Sequence, residues 1–279
     1  MPLITVDRLH TLLDEDDLVI VDVRWRLGNP MYGRDAYGAG HIPGAVFADL
    51  DDDLSDVRGP GRHPLPNPAT FDEFLGSIGV APSTTVVAYD DASGAIAARL
   101  WWMLTDQGHE NTMVLDGGFS AWTTAGLPTD SGSVGLPGVS TAAGIATRPW
   151  REVVMIDAVA DRDKGVLVVD ARSGDRYRGD LEPVDARPGH IPGALNLPHT
   201  GNVDSAGRML GPAALASRFS EIGVGADSAV IVHCGSGVTA CHNILAAELA
   251  GLPRPRLYAG SWSEWASTDR PVAIGDQPG

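Results

Sequence analysis

The chain repeats itself. Residues 18–25 (LVIVDVRW) return as 166–172 (VLVVDAR), and GHIPGA stands at both 40–45 and 189–194. Residues 84–90 (TTVVAYD) return as 229–235 (AVIVHCG), and 115–122 (LDGGFSAW) as 258–265 (YAGSWSEW). The spacings agree as well. Asp22 to His41 is 19 residues and Asp170 to His190 is 20; Asp90 to Trp122 is 32 and Cys234 to Trp265 is 31. Four motifs in one order at nearly equal spacing mark a duplicated domain.

Each copy carries short β-branched runs (LVIVDV, TTVVAY, VLVVDA, AVIVHC) bounded by turn residues, which suit strands buried on both faces. Segments with helical spacing lie between them, at 95–106 and 238–250. Alternating strands and helices predict an α/β fold: two tandem domains, each a mostly parallel sheet flanked by helices. The stretch 129–150 is rich in Gly, Ser, Thr and Pro and has no period, so it reads as a linker between domains at 1–128 and 151–279.

With 279 residues and 43% hydrophobic content the chain can build two ordinary cores. A net charge of −16 argues against nucleic acid and anionic lipid as partners. Two cysteines are too few for a disulfide framework. The acidic start MPLITVDRLHTLLDEDD lacks the pattern of a signal peptide, and no apolar run reaches membrane-spanning length. A cytoplasmic location is the expectation.

The string VIVHCGSGVTACHNILAAELAGL carries the chemistry. A buried strand runs into Cys234-Gly235-Ser236-Gly237-Val238-Thr239 and then into a helix. Ligands of open α/β sheets sit at the C-terminal strand ends, where Cys234 stands. Gly235 and Gly237 let the backbone curl and turn successive N–H groups inward, and the helix adds the positive end of its dipole. Such a cradle favours thiolate over thiol and so makes Cys234 a nucleophile. A lone cysteine at a strand end is more often a packing residue, and the Gly-x-Gly loop before a helix reverses those odds. Cys241, two helical turns on, reads as packing. No Cys-x-x-Cys spacing suggests a metal. The first copy has Asp90 in the place of Cys234, which predicts a catalytically silent domain.

These residues together resemble the tandem-domain rhodanese sulfurtransferases, over residues 5–271 or so. The resemblance implies two rhodanese-like domains, the second active, no cofactor, and a sulfur atom carried as a persulfide on Cys234. Cys-Gly-Ser-Gly-Val-Thr-Ala is similar to the loop of 3-mercaptopyruvate sulfurtransferases. Thiosulfate enzymes usually place basic residues after the cysteine, where this chain has Gly235 and Ser236. The implied reaction moves sulfur from 3-mercaptopyruvate, a small anionic donor, to cyanide or a thiol acceptor such as thioredoxin or a low-molecular-weight thiol. The family relay of Cys, Ser, His and Asp maps onto Cys234, Ser236, His63 and Asp51. Arg178 in RYRGD fits a carboxylate-binding arginine. A second arginine usually follows in a Glu-Pro-x-Pro-Arg-like element; LEPVDARPGH departs from it, and Arg187 stands in.

Each of these has a plainer reading. Asp51 sits in an acidic loop and His63 in a Gly/Pro-rich one, where side chains are usually solvated. Arg178 has the plainer reading of a surface charge. His41 and His190 recur in both copies, including the silent one, which points to structure. Three rivals remain. A cysteine phosphatase needs an arginine at Cys+6, where this chain has Ala240. A persulfide carrier without turnover would release no pyruvate. A thiosulfate:cyanide sulfurtransferase would differ only in its donor.

Overall fold

The computed structural model describes residues 1–132 and 142–279. Residues 133–141 of the 129–150 stretch expected as a linker therefore lie outside the described residues. Its described C-terminal part is held by Asp72, whose carboxylate accepts the N–H groups of Gly144, Ile145 and Ala146.

The chain forms two compact units, and neither is continuous in sequence. One comprises Met1–Asp56, Pro66–Arg151 and Ser205–Met209; the other comprises Val57–Leu65, Glu152–Asp204 and Leu210–Gly279. Each unit thus takes in a short piece that lies, in sequence, within the other copy.

The first sheet is built from β1 (Leu3–Ile4), β2 (Leu18–Asp22), β3 (Val46–Phe47), β4 (Thr85–Tyr89) and β5 (Thr112–Leu115), in the order β1-β5-β4-β2-β3. The second is built from β6 (Val153–Val154), β7 (Val166–Asp170), β8 (Ala194–Asn196), β9 (Ala229–His233) and β10 (Arg256–Tyr258), in the order β6-β10-β9-β7-β8. Strand for strand the two orders are the same, and every pairing is parallel. The β-branched runs supply the central strands because both faces of a parallel sheet are covered by helices. Around them lie two cores, one centred on Leu9, Val87, Leu115 and Trp122, the other on Val168, Ile231, Tyr258 and Trp262.

The repeated motifs make repeated contacts. Arg24 reaches back to Asp22 and to the carbonyl of Gly40; Arg172 does the same to Asp170 and Gly189. His41 stacks on Tyr37 and His190 on Tyr177, with each Nδ1 donating to that tyrosine's carbonyl at 2.8 Å. The two histidines therefore anchor the turn before Ile-Pro-Gly, as their presence in both copies suggested.

In each unit the middle strand of the sheet, β4 or β9, leads through a tight loop into a helix, Ala97–Asp106 or Ala240–Leu249. Both helices are buried almost all round, which is why neither shows a strongly polar face. No helix among the described residues is long and apolar enough to cross a membrane.

Candidate active site

Cys234 is the first residue after β9 and is buried. Its backbone is fixed on both sides: its N–H donates to Oγ of Ser261 at 3.1 Å, and its carbonyl accepts the N–H of Trp262 at 3.0 Å. The loop then turns back on the thiol. Gly237 has φ +77°, and its N–H donates to Sγ of Cys234 at 3.1 Å. A Cβ at Gly237 would stand 2.5 Å from the carbonyl oxygen of Ala259, so backbone packing as well as φ demands glycine there. Val238 accepts the N–H of Cys241 and Thr239 occupies the N-cap, so the helix starts within six residues of the sulfur. Cys234 and Cys241 form no disulfide, and Sγ of Cys241 donates to the carbonyl of Gly237.

The first unit displays the corresponding loop with a carboxyl group already in it. Asp90 follows β4 as Cys234 follows β9. Its Oδ1 accepts N–H groups from Ala92 and Gly94, both at 2.8 Å, and its Oδ2 accepts from Ile96 at 2.7 Å and Ala97 at 2.8 Å. Burial pushes the Asp90 carboxyl up, and these four amides oppose that. The loop between middle strand and helix is thus an anion receiver, and in this copy the chain fills it with its own side chain.

Val57–Leu65 brings His63 to the second loop. Nδ1 of His63 and Oγ of Ser236 are 2.8 Å apart, and both residues are buried. The segment is pinned beside it by the N–H of Arg62, which donates to Oγ of Ser263 at 3.0 Å. Asp51 belongs to the first unit, where its Oδ2 accepts from Nε1 of Trp25 at 2.8 Å.

The arginines singled out from the sequence have other partners. The guanidinium of Arg178 pairs with Asp175 and Asp180. That of Arg187 donates to the carbonyls of Trp265, Ala266 and Arg270, closing off the C-terminal segment. Two cations that the motif reading passed over stand next to the loop instead. A Cβ on Gly235 would lie 3.0 Å from Nη2 of Arg62 and 3.3 Å from Nη1 of Arg176. Arg176 and Arg178 are two positions apart on one helical turn and so face different ways; Tyr177 between them is the buried anchor already matched to Tyr37. That match was the available signal.

Both arginines are tied to one carboxylate. Asp185 gives Oδ1 to Nη1 of Arg62 and Oδ2 to Nη2 of Arg176, each at 2.8 Å. Arg176 also pairs with Glu182 at 2.8 Å, and Arg172 with Glu182 at 3.3 Å. Burial would raise the Glu182 carboxyl, but N–H donors and Arg176 hold it below the usual range. Burial likewise acts to raise Asp170, and Arg172 more than offsets it, leaving Asp170 low. His233, the last residue of β9 and the neighbour of Cys234, is pushed down by burial, against the pull of Asp170. Among the described residues no three His, Cys, Asp or Glu side chains gather as a metal site.

The chain is similar to known proteins along nearly its whole length. The rhodanese-like domain profile matches residues 5–125 and 157–268. A Pseudomonas aeruginosa protein provisionally named 3-mercaptopyruvate sulfurtransferase is 45% identical, over 98% of this chain and 98% of its own. Mycobacterium tuberculosis SseB, provisionally named a thiosulfate sulfurtransferase, is 42% identical over 98% of this chain and 97% of its own. Among solved structures, SseA from Escherichia coli, described with the catalytic mechanism of 3-mercaptopyruvate sulfotransferases, matches with TM-score 0.82 at 35% identity. The match covers 95% of this chain and 100% of SseA.

Proposed function

Because the chain belongs to the rhodanese family, we propose that it is a sulfurtransferase whose donor is 3-mercaptopyruvate and whose carrier is a persulfide on Cys234. The observation that carries the reading is the hydrogen bond from the Gly237 N–H to Sγ of Cys234, in a loop whose counterpart binds a carboxylate through four amides.

In the first half-reaction the Cys234 thiolate attacks the donor sulfur. An S–S bond forms and the donor C–S bond breaks. The electron pair passes to carbon as the enolate of pyruvate, which takes up a proton. In the second, an acceptor thiolate or cyanide attacks the outer sulfur, the S–S bond breaks, and its electron pair returns to Sγ. The loop amides favour the anionic sulfur in both halves, as an oxyanion hole favours oxygen. The Ser236–His63 pair is suited to move the proton between donor thiol and enolate. Arg176 and Arg62, flanking Gly235, are the groups suited to hold the donor carboxylate, in place of Arg178 and Arg187. Asp90 leaves the first loop without a thiol, so that unit is silent. The acceptor is a small thiol or a thioredoxin-like protein, in a reducing compartment such as the cytoplasm where unpaired thiols persist.

The test is pyruvate release and sulfur loading with 3-mercaptopyruvate and with thiosulfate. We expect 3-mercaptopyruvate to win in kcat/KM, and Cys234→Ser to lose both turnover and the added mass of one sulfur atom. A preference of about tenfold or more for thiosulfate, about 1.4 kcal/mol in the barrier, would overturn the donor. Absence of any pyruvate would leave a persulfide carrier or binding module.

A further inference from the structure

We infer that Asp185 is a specificity-determining residue: by bridging Arg62 and Arg176 it limits the positive charge beside Cys234, so that the site accepts a donor carrying one negative charge and discriminates against a dianion. The inference rests on the sulfurtransferase reading above.

Three guanidiniums (Arg62, Arg172, Arg176) and three carboxylates (Asp170, Glu182, Asp185) form one connected set of ion pairs. Arg172 is satisfied by Asp170 at 2.6 Å and lies away from solvent, with 2% side-chain exposure. The two guanidiniums nearest to where a Cβ on Gly235 would stand are the more exposed ones, Arg62 at 24% and Arg176 at 17%. Asp185 is the carboxylate they share, one oxygen to each, and only 4% of its side chain is exposed. A bound anion must therefore approach two cations whose charge is already balanced by Asp185 and Glu182.

Charge balance then orders the donors. A monocarboxylate can take donors from the outer faces of Arg62 and Arg176 while the Asp185 bridge stays in place. A compact dianion brings a second negative charge to a set with no net positive charge left, next to a buried carboxylate. In a partly buried site that repulsion is weakly screened. The substitution Asp185→Asn would keep the shape of the side chain and one acceptor oxygen, and would remove the charge.

The experiment compares kcat/KM for 3-mercaptopyruvate and for thiosulfate in wild type, Asp185→Asn and Arg62→Gln. The quantity read is the thiosulfate to 3-mercaptopyruvate ratio. Removing the negative charge is expected to raise it about tenfold, and removing the Arg62 cation to lower it. An Asp185→Asn ratio within about twofold of wild type, in protein of native near-UV circular dichroism, overturns the inference. So does a shift in the same direction for both variants. If Asp185→Asn does not fold, Arg62→Gln decides alone, and an unchanged ratio refutes the proposal. Because each ratio is referred to wild type, the outcome stands apart from which donor wild type prefers, and absence of turnover with either donor would instead strike the sulfurtransferase reading.

Discussion

Nδ1 of His63 lies 2.8 Å from Oγ of Ser236, although 173 positions separate them in the chain. A hydroxyl that shares a proton with a buried imidazole can relay one, whereas a hydroxyl alone is a poor base. Ser236→Ala and His63→Ala are each expected to lower kcat for 3-mercaptopyruvate by about a hundredfold, and the double variant by little more. Steady-state pyruvate assays on all three give the answer. Effects that multiply would mean the two side chains act independently.

Asp90→Ala removes the acceptor of four amides, three of them buried. Each unsatisfied donor costs about 1–3 kcal/mol, partly relieved if water enters, so urea unfolding should show the first unit weakened by about 3–5 kcal/mol. Asp90→Asn, which keeps an acceptor oxygen, should lose less. A change below about 1 kcal/mol for the alanine variant would show that the carboxylate does not hold this loop.

Gly237→Ala meets both a left-handed φ of +77° and the Ala259 carbonyl at 2.5 Å. The loop must shift, and its N–H leaves Sγ of Cys234. We expect a loss of sulfur loading of about a hundredfold together with a lower melting temperature. Cys241→Ala, on the helix beyond the loop, should retain most activity; total loss there would assign Cys241 to the chemistry.

Asp53 supplies a pH test. Burial, with Asp49 and Asp52 adding to it, pushes its carboxyl from 3.8 up to about 6, against the Asp49 N–H and Arg34. Its folded-state pKa lies above its unfolded value. Its contribution to stability is therefore fully present below about pH 3.8 and lost as pH rises through about 6. Asp53→Asn should stabilise the protein by about 1–3 kcal/mol near neutral pH and by little near pH 4. Equal effects at both pH values would contradict the shift.

The strands, the anchoring histidines and Cys234 were legible because each repeats a local pattern: β-branched runs, a Gly-x-Gly loop, GHIPGA. The parallel sheets and their shared order followed from the duplication. Arg176 was missed in favour of Arg178 because the string RYR does not say which way a single helical turn faces; only the burial of Tyr177 does. Arg62 and Asp185 were missed because their meaning is a pairing across 123 positions, which no local pattern encodes. The four-amide cradle around Asp90 was hidden for a related reason: the sequence shows an aspartate, and only the backbone shows what it accepts.

The short piece Val57–Leu65 is encoded within one copy and folds with the other. A gene cut at the boundary of the repeat would part Cys234 from both Arg62 and His63. A fragment beginning at Glu152 would keep Cys234 and its loop, yet lack the partner of Ser236 and one of the two arginines beside Gly235. Duplication usually leaves two modules that evolution can shuffle, lose or fuse elsewhere. Here the exchange of a few residues binds the doubling together: the half without a thiol cannot be discarded whole, because its stretch of gene also encodes parts that the other half cannot make for itself.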